Sequence, residues 1–264
     1  MADTLRILAI GDVVGQPGLR ALFAGLGDLV RRLDADLVVA NAENAVDGFG
    51  LDPPVAERLF ACGVHVISSG NHIWQRREIL PMLEARSELL RPENYPPGVP
   101  GHGHCIVTVK DTSVAVLNLE GRVNLSPLRD PFAIGRSVLR QARGKARVCV
   151  VDFHAESVEE KEALAAWLDG EASAVFGTHT HVQTADERIL PKGTAFIADI
   201  GMSGPVEGVI GMRRETAIHR SLSQMPLKMV VQEGPAEIQG CLITIDVRSG
   251  RATAIERVRE RSAV

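Results

Sequence analysis

Short apolar runs rich in β-branched residues alternate along this chain with segments of helical period. Residues 5–10 (LRILAI) predict a buried strand, after which Leu19, Leu22, Phe23, Leu26, Leu29, Val30 and Leu33 keep the 3.6 period of an amphipathic helix. Pro17 suits the start of that helix, where its missing N–H is not needed. Residues 37–42 (LVVANA) predict the next strand, residues 53–61 a second helix and residues 64–69 a third strand. Strands alternating with helices in this way predict a parallel sheet with right-handed crossovers.

Past residue 90 the texture changes. Residues 91–104 are rich in Pro and Gly and predict a long loop, while 105–110 and 114–119, joined by 111–113, predict a hairpin. Further buried strands are expected at 148–153, 174–177 and 195–199, and an amphipathic helix over 157–169. Ser157 opens that helix with Glu160 three residues on, the spacing of a capping box. Residues 202–234 show no clean period and carry repeated Gly and Pro, so a lid-like excursion is expected there, with 241–247 closing the fold as its final strand. No repeat or linker divides the chain, and a single α/β domain over 1–264 is the expectation.

Composition narrows the function classes. A chain of 264 residues that is 45% hydrophobic and 23% charged can bury a sizeable core and is not of disordered type. A formal charge of −4 gives no global positive field, and 4% aromatic content leaves few stacking platforms, so bulk nucleic-acid binding is not expected. No apolar run approaches the roughly 18 residues of a membrane span, and no basic and apolar leader precedes the first strand. Cys62, Cys105, Cys149 and Cys241 show no C-x-x-C spacing and read as free, largely buried thiols, which places the protein in the cytoplasm.

The chemistry concentrates where strands end. The first strand runs into Gly11-Asp12, the second into Asn41, Glu43 and Asn44, and the third into Gly70-Asn71-His72. Later strands deliver Asp152 and His154, then His179 and His181. In open α/β sheets ligands bind beyond the carboxyl ends of strands, and residues two apart on an extended chain share a face. Among them one Asp, one Glu, one or two Asn and three His offer six or seven oxygen and nitrogen donors without a thiolate, more than the four of a tetrahedral zinc site. A dinuclear site bridged by Glu43 accounts for that number, with iron, manganese or zinc as suitable ions. Taken singly, Asp12 also suits a turn, Glu43-Asn44 a helix cap and His154 a satisfied core position. Of the eight histidines, His65, His102, His104 and His219 lack such partners and keep structural readings.

The order Gly-Asp, Glu-Asn, Gly-Asn-His, a central His and Gly-x-His-x-His resembles the calcineurin-like metallophosphoesterases. Within them, GDVVG (11–15), NAENA (41–45), GNHIW (70–74), DFHAE (152–156), GTHTHVQTAD (177–186) and DIGMSGP (199–205) are similar to the bacterial YmdB-like branch. Val14 stands where the wider superfamily has the His of D-x-H, Glu43 replaces the usual bridging Asp, and Ile73 follows Gly-Asn-His instead of an acid. All three departures favour that branch.

The resemblance implies a four-layer sandwich, two mixed β-sheets packed face to face and flanked by helices. It implies that Asp12, Glu43, Asn44 and His181 serve one metal, that Glu43, Asn71, His154 and His179 serve the other, and that His72 is the proton donor. Two divalent or trivalent transition-metal ions per chain are expected, iron first, with manganese or zinc as alternatives. The implied activity is hydrolysis of 2′,3′-cyclic nucleotides to nucleoside monophosphates by a metal-bridged hydroxide, with a small phosphodiester as partner and a homo-oligomeric state. Arg122 is a candidate for substrate phosphate, or else a surface ion pair. The competing readings are a phosphomonoesterase or protein phosphatase on the same centre, and a non-catalytic regulatory protein associated with nucleotides or RNA.

Overall fold

A computed structural model describes residues 4–262. In the first sheet, β1 (Thr4–Ile10), β3 (Leu37–Asn41) and β4 (Val66–Ser68) run parallel as neighbours. Antiparallel to β1 lies β12 (Ala236–Asp246), which pairs with β13 (Arg251–Arg261) and with β11 (Met202–Pro205), and β11 carries the short β2 (Asp12–Val13) at the edge. The second sheet has a parallel centre of β6 (Thr112–Glu120), β7 (Val148–His154), β8 (Ala174–Thr178) and β10 (Ala195–Ile197). Its edges, β5 (His104–Val109) and β9 (Arg188–Ile189), are antiparallel.

The two-residue period of the strands builds the layers. Leu5, Ile7 and Ala9 of β1 point between the sheets, where Val114, Val116, Val148, Val150 and Phe176 of the second sheet meet them. Leu8 and Ile10 point the other way, onto α1 (Gly15–Leu33) and α2 (Pro53–Ala61), with the short α3 (Leu80–Ala85) packed on the same core. Across the second sheet, Ala115, Leu117 and Leu119 face α4 (Pro131–Ala142) and α5 (Val158–Trp167). Helix, sheet, sheet, helix is the four-layer sandwich that the family resemblance implied. No helix among the described residues is long and apolar enough to cross a membrane.

Several elements differ from the sequence expectation. α4 falls in a stretch given no element, although Asp130 caps it through Phe132 N–H at 3.0 Å and Pro131 sits at its first position. Ser157 does cap α5, but Glu160 does not return the bond; its carboxylate accepts from Arg122 and Val123 N–H at 2.9 and 3.2 Å. The inner face of that helix buries Glu160 and Lys161 beside Leu164 and Ala165. Residues 202–205 are β11, so the excursion begins at Val206. Within it α6 (Arg214–Ser223) buries only Ala217. The closing strand spans Ala236–Asp246, not 241–247, and β13 follows it. One face of β13 meets solvent and its charged residues outnumber the apolar ones, which hides the period.

Candidate metal centre

The strand ends of both sheets converge on one site and divide its donors by element. Asp12 on β2, Glu43 and Asn44 after β3, and Asn71 after β4 bring oxygens from the first sheet. His154 at the end of β7, and His179 and His181 after β8, bring nitrogens from the second. The structure thus gathers all seven candidate ligands, with His72 beside them. Gly70 makes the approach possible, since a Cβ there would lie 2.0 Å from His154 Cδ2.

Around His154 Nε2 stand Glu43 Oε1 at 3.0 Å, Asn71 Oδ1 at 3.1 Å and His179 Nδ1 at 3.0 Å. One ring nitrogen carries at most one proton and cannot satisfy three such partners. Glu43, His154 and His179 each offer an atom within 4.8 Å of the others, a cluster able to hold a metal ion. The far side of His154 is fixed for that purpose: Nδ1 meets Thr178 Oγ1 at 2.9 Å, and Thr178 donates to Asp152 Oδ1 at 2.8 Å. With Nδ1 carrying the proton, Nε2 keeps its lone pair for a cation.

A second set shares Glu43. The Asn44 amide lies 3.3 Å from Asp12 Oδ1, 3.4 Å from Glu43 Oε1 and 3.2 Å from His181 Nε2, with Asp12 Oδ1 at 3.8 Å from the same imidazole nitrogen. An amide can present either nitrogen or oxygen to such a cluster, and its oxygen is the atom that would serve a cation. His181 Nδ1–H donates to the Ile210 carbonyl at 3.0 Å, which again leaves Nε2 facing the donors.

The facing carboxylates and imidazoles set one another's charge. Burial alone would raise Glu43, but the His154 imidazole, with His72, takes it down to about 2. Burial opposes charge on His154, yet Glu43 and the nearby aspartates carry it up to about 9, while burial and the neighbouring His154 push His179 down to about 3. Burial also raises Asp12, against the pull of His181 and His154. Buried carboxylates facing clustered imidazoles are the donor chemistry of a cation site.

His179 and His181 occupy left-handed backbone, with φ of 104° and 63°. Such conformations persist only where surroundings enforce them. His179 N–H donates to Asp12 Oδ2 at 3.0 Å, and the N–H and Oγ1 of the intervening Thr180 both donate to Asp199 Oδ2, at 3.0 and 2.8 Å. Lys161 Nζ reaches that same oxygen at 2.8 Å, both side chains being 1% exposed. Sequence reasoning missed this ion pair as part of the site, although Lys161 lies in helical phase with Leu164, Ala165 and Leu168.

Above the donors opens a cavity of about 280 Å³ lined by residues that include Phe49, His72, Glu156, Met212, Arg220 and Met229. His72 N–H donates to Glu43 Oε2 at 2.9 Å, and Phe49 stands edge-on to the imidazole with centroids 5.1 Å apart. Arg122 does not line this cavity; its guanidinium lies 3.5 Å from Asp130 in an exposed ion pair. The other histidines also have local roles or surface positions. His65 Nδ1 accepts from Val38 N–H at 3.0 Å, His104 meets Glu93, and His102 and His219 are exposed.

The sequence model for the YmdB-like protein family matches residues 8–258. The 2′,3′-cyclic-nucleotide 2′-phosphodiesterase of Bacillus subtilis (strain 168) is 43% identical over 254 residues, covering 96% of each chain. A solved structure of a hypothetical protein from Thermus thermophilus superposes with a TM-score of 0.92 at 40% identity, covering 98% of this chain and 100% of the other. A phosphatase from Mycoplasma pneumoniae does so with 0.93 at 31% identity, covering 99% and 95%.

Proposed function

The chain belongs to the YmdB-like protein family, and from that premise we propose that it is a metal-dependent phosphodiesterase opening 2′,3′-cyclic nucleotides to nucleoside monophosphates. The observation that carries this reading is the convergence of Glu43, Asn71 and His179 on His154 Nε2, next to a second set that shares Glu43. The Bacillus subtilis relative, named as a phosphodiesterase, favours a diester over a phosphomonoester or phosphoprotein substrate. Free thiols at Cys62, Cys105, Cys149 and Cys241 suit the reducing cytoplasm in which we place it.

Asp12, Glu43, Asn44 and His181 would hold one transition-metal ion, and Glu43, Asn71, His154 and His179 a second. Oxygen and imidazole donors without thiolate suit iron, manganese or zinc, and the family resemblance puts iron first. When bound, such ions polarise the phosphoryl oxygens and lower the pKa of a water to near neutrality.

The chain's own residues position the acid. Asn71 turns its amide oxygen to the donors, while the adjacent His72 stays outside the ligand set and free to carry a proton. Its backbone N–H on Glu43 ties the acid to a ligand, and Phe49 limits the rotation of the ring. The leaving ribose oxygen is a poor alkoxide, so protonation by His72 is worth about 10²- to 10⁴-fold. Metal-loaded His72→Ala is expected to lose turnover of 2′,3′-cyclic AMP by that factor with its metal content intact. Wild-type turnover in a variant that still holds two metals would remove His72 from the mechanism.

A further inference from the structure

We propose that the excursion after β11 builds the nucleoside-binding half of the active site, with Arg220 donating to the acceptor edge of the base; this rests on the cyclic-nucleotide reading above. Bond breaking at the cyclic phosphate leaves base and ribose in need of a surface of their own. The cavity over the donors continues onto Phe49, Ile210, Met212 and Met229, three of them from the excursion. Met212 is buried in a cluster with Val14, Met202 and Val231, and Phe49 and Met229 are half-buried against that cluster. Each therefore has a supported back and a face toward the cavity. Thioether and aromatic faces are the contact chemistry of a planar heterocycle.

Arg220 adds polarity of one sign. No other Lys or Arg lines this cavity, and its guanidinium forms no ion pair among the described residues. A guanidinium only donates hydrogen bonds, in a planar fork that matches the ring nitrogens and carbonyls of a base.

Ile210 supplies an independent sign. It is a β-branched residue at φ 46°, between Gly208 and Gly211, which adopt positive φ without strain. Glycine would suit the backbone at 210 as well, and Ile210 is 52% exposed, outside any core. Its position on the cavity wall gives the strained side chain a use, and its carbonyl anchors that wall to His181.

The test compares 2′,3′-cyclic AMP with ethylene phosphate, which has the same five-membered cyclic diester and no nucleoside. Metal-loaded Arg220→Met, Met229→Ala and Ile210→Gly are each expected to lower kcat/KM for cyclic AMP about tenfold more than for ethylene phosphate, through KM. Melting curves and metal content check that each variant is folded and loaded; the exposed Arg220 makes its variant the safest of the three. Parallel changes on the two substrates, or none on either, would overturn the subsite while leaving the phosphodiesterase reading in place. Wild-type enzyme that opens ethylene phosphate but not cyclic AMP would overturn that reading, and the subsite with it.

Discussion

The two sides of the active site are built on opposite terms. Asp12, Glu43 and His154 are fully buried at strand ends, each held by backbone or side-chain bonds on more than one side. The excursion facing them buries one residue of its helix and exposes Leu222 and Met225 to 81% and 52%. Chemistry needs donors fixed to a fraction of an ångström, which two packed cores and a buried ion pair can supply. A surface that selects a substrate can tolerate irregular backbone, provided that it is anchored, as Ile210 is on His181.

Substitution on each side sharpens the contrast. Lys161→Met keeps the aliphatic stem and leaves Asp199 buried without its cation, an expected loss of about 3–5 kcal/mol in denaturant unfolding. Because Asp199 holds Thr180 between His179 and His181, the affinity for metal measured by calorimetric titration should also fall about 10- to 100-fold. Affinity within twofold of wild type would mean that the turn keeps its shape without the pair.

A pH-dependent effect comes from Glu120, buried behind the site with Tyr95 OH donating to Oε2 at 3.1 Å and no partner at Oε1. Burial raises its carboxyl to about 7. The folded state thus binds this proton more tightly than the unfolded chain, so the stabilisation is complete below the ordinary carboxyl pKa and is lost as pH rises through 7. Glu120→Gln should therefore stabilise the protein at pH 8 by on the order of 3 kcal/mol, a gain that narrows toward pH 5. Thermal melts at the two pH values measure it, and a difference independent of pH would contradict the assignment. The smallest effect belongs to the excursion, where Leu222→Ser should change unfolding free energy by less than about 0.5 kcal/mol. A loss above about 1 kcal/mol would show that α6 is packed as firmly as the strands.

What the sequence could reveal follows the same division. Motifs at strand ends are contiguous, so Gly70-Asn71-His72 and the His179–His181 pair stand out by spacing, whereas Asp12 and Glu43 gain weight only from lying at the ends of neighbouring strands. Lys161 and Asp199 are 38 residues apart and meet only when α5 packs on the second sheet. The one local signal is a lysine in phase with an apolar stripe, a pattern that an ordinary amphipathic helix also presents. The excursion carries no period because few of its residues enter a core, so Arg220 and Met229 could not be told from surface. For Arg122 the sequence leaves both a phosphate contact and a surface ion pair open, and its side chain turns to Asp130.

The division of donors, oxygens from one sheet and nitrogens from the other, also gives the apolar layer between the sheets a second office. Leu5, Ile7, Val116, Val150 and Phe176 act there as a shim, and the gap they fill sets how far carboxylate and imidazole stand apart. Stacked sheets lie about 10 Å apart, whereas metal–ligand bonds tolerate only about 0.2 Å. The tolerance of the catalytic centre is therefore machined in hydrocarbon, well away from any group that reacts.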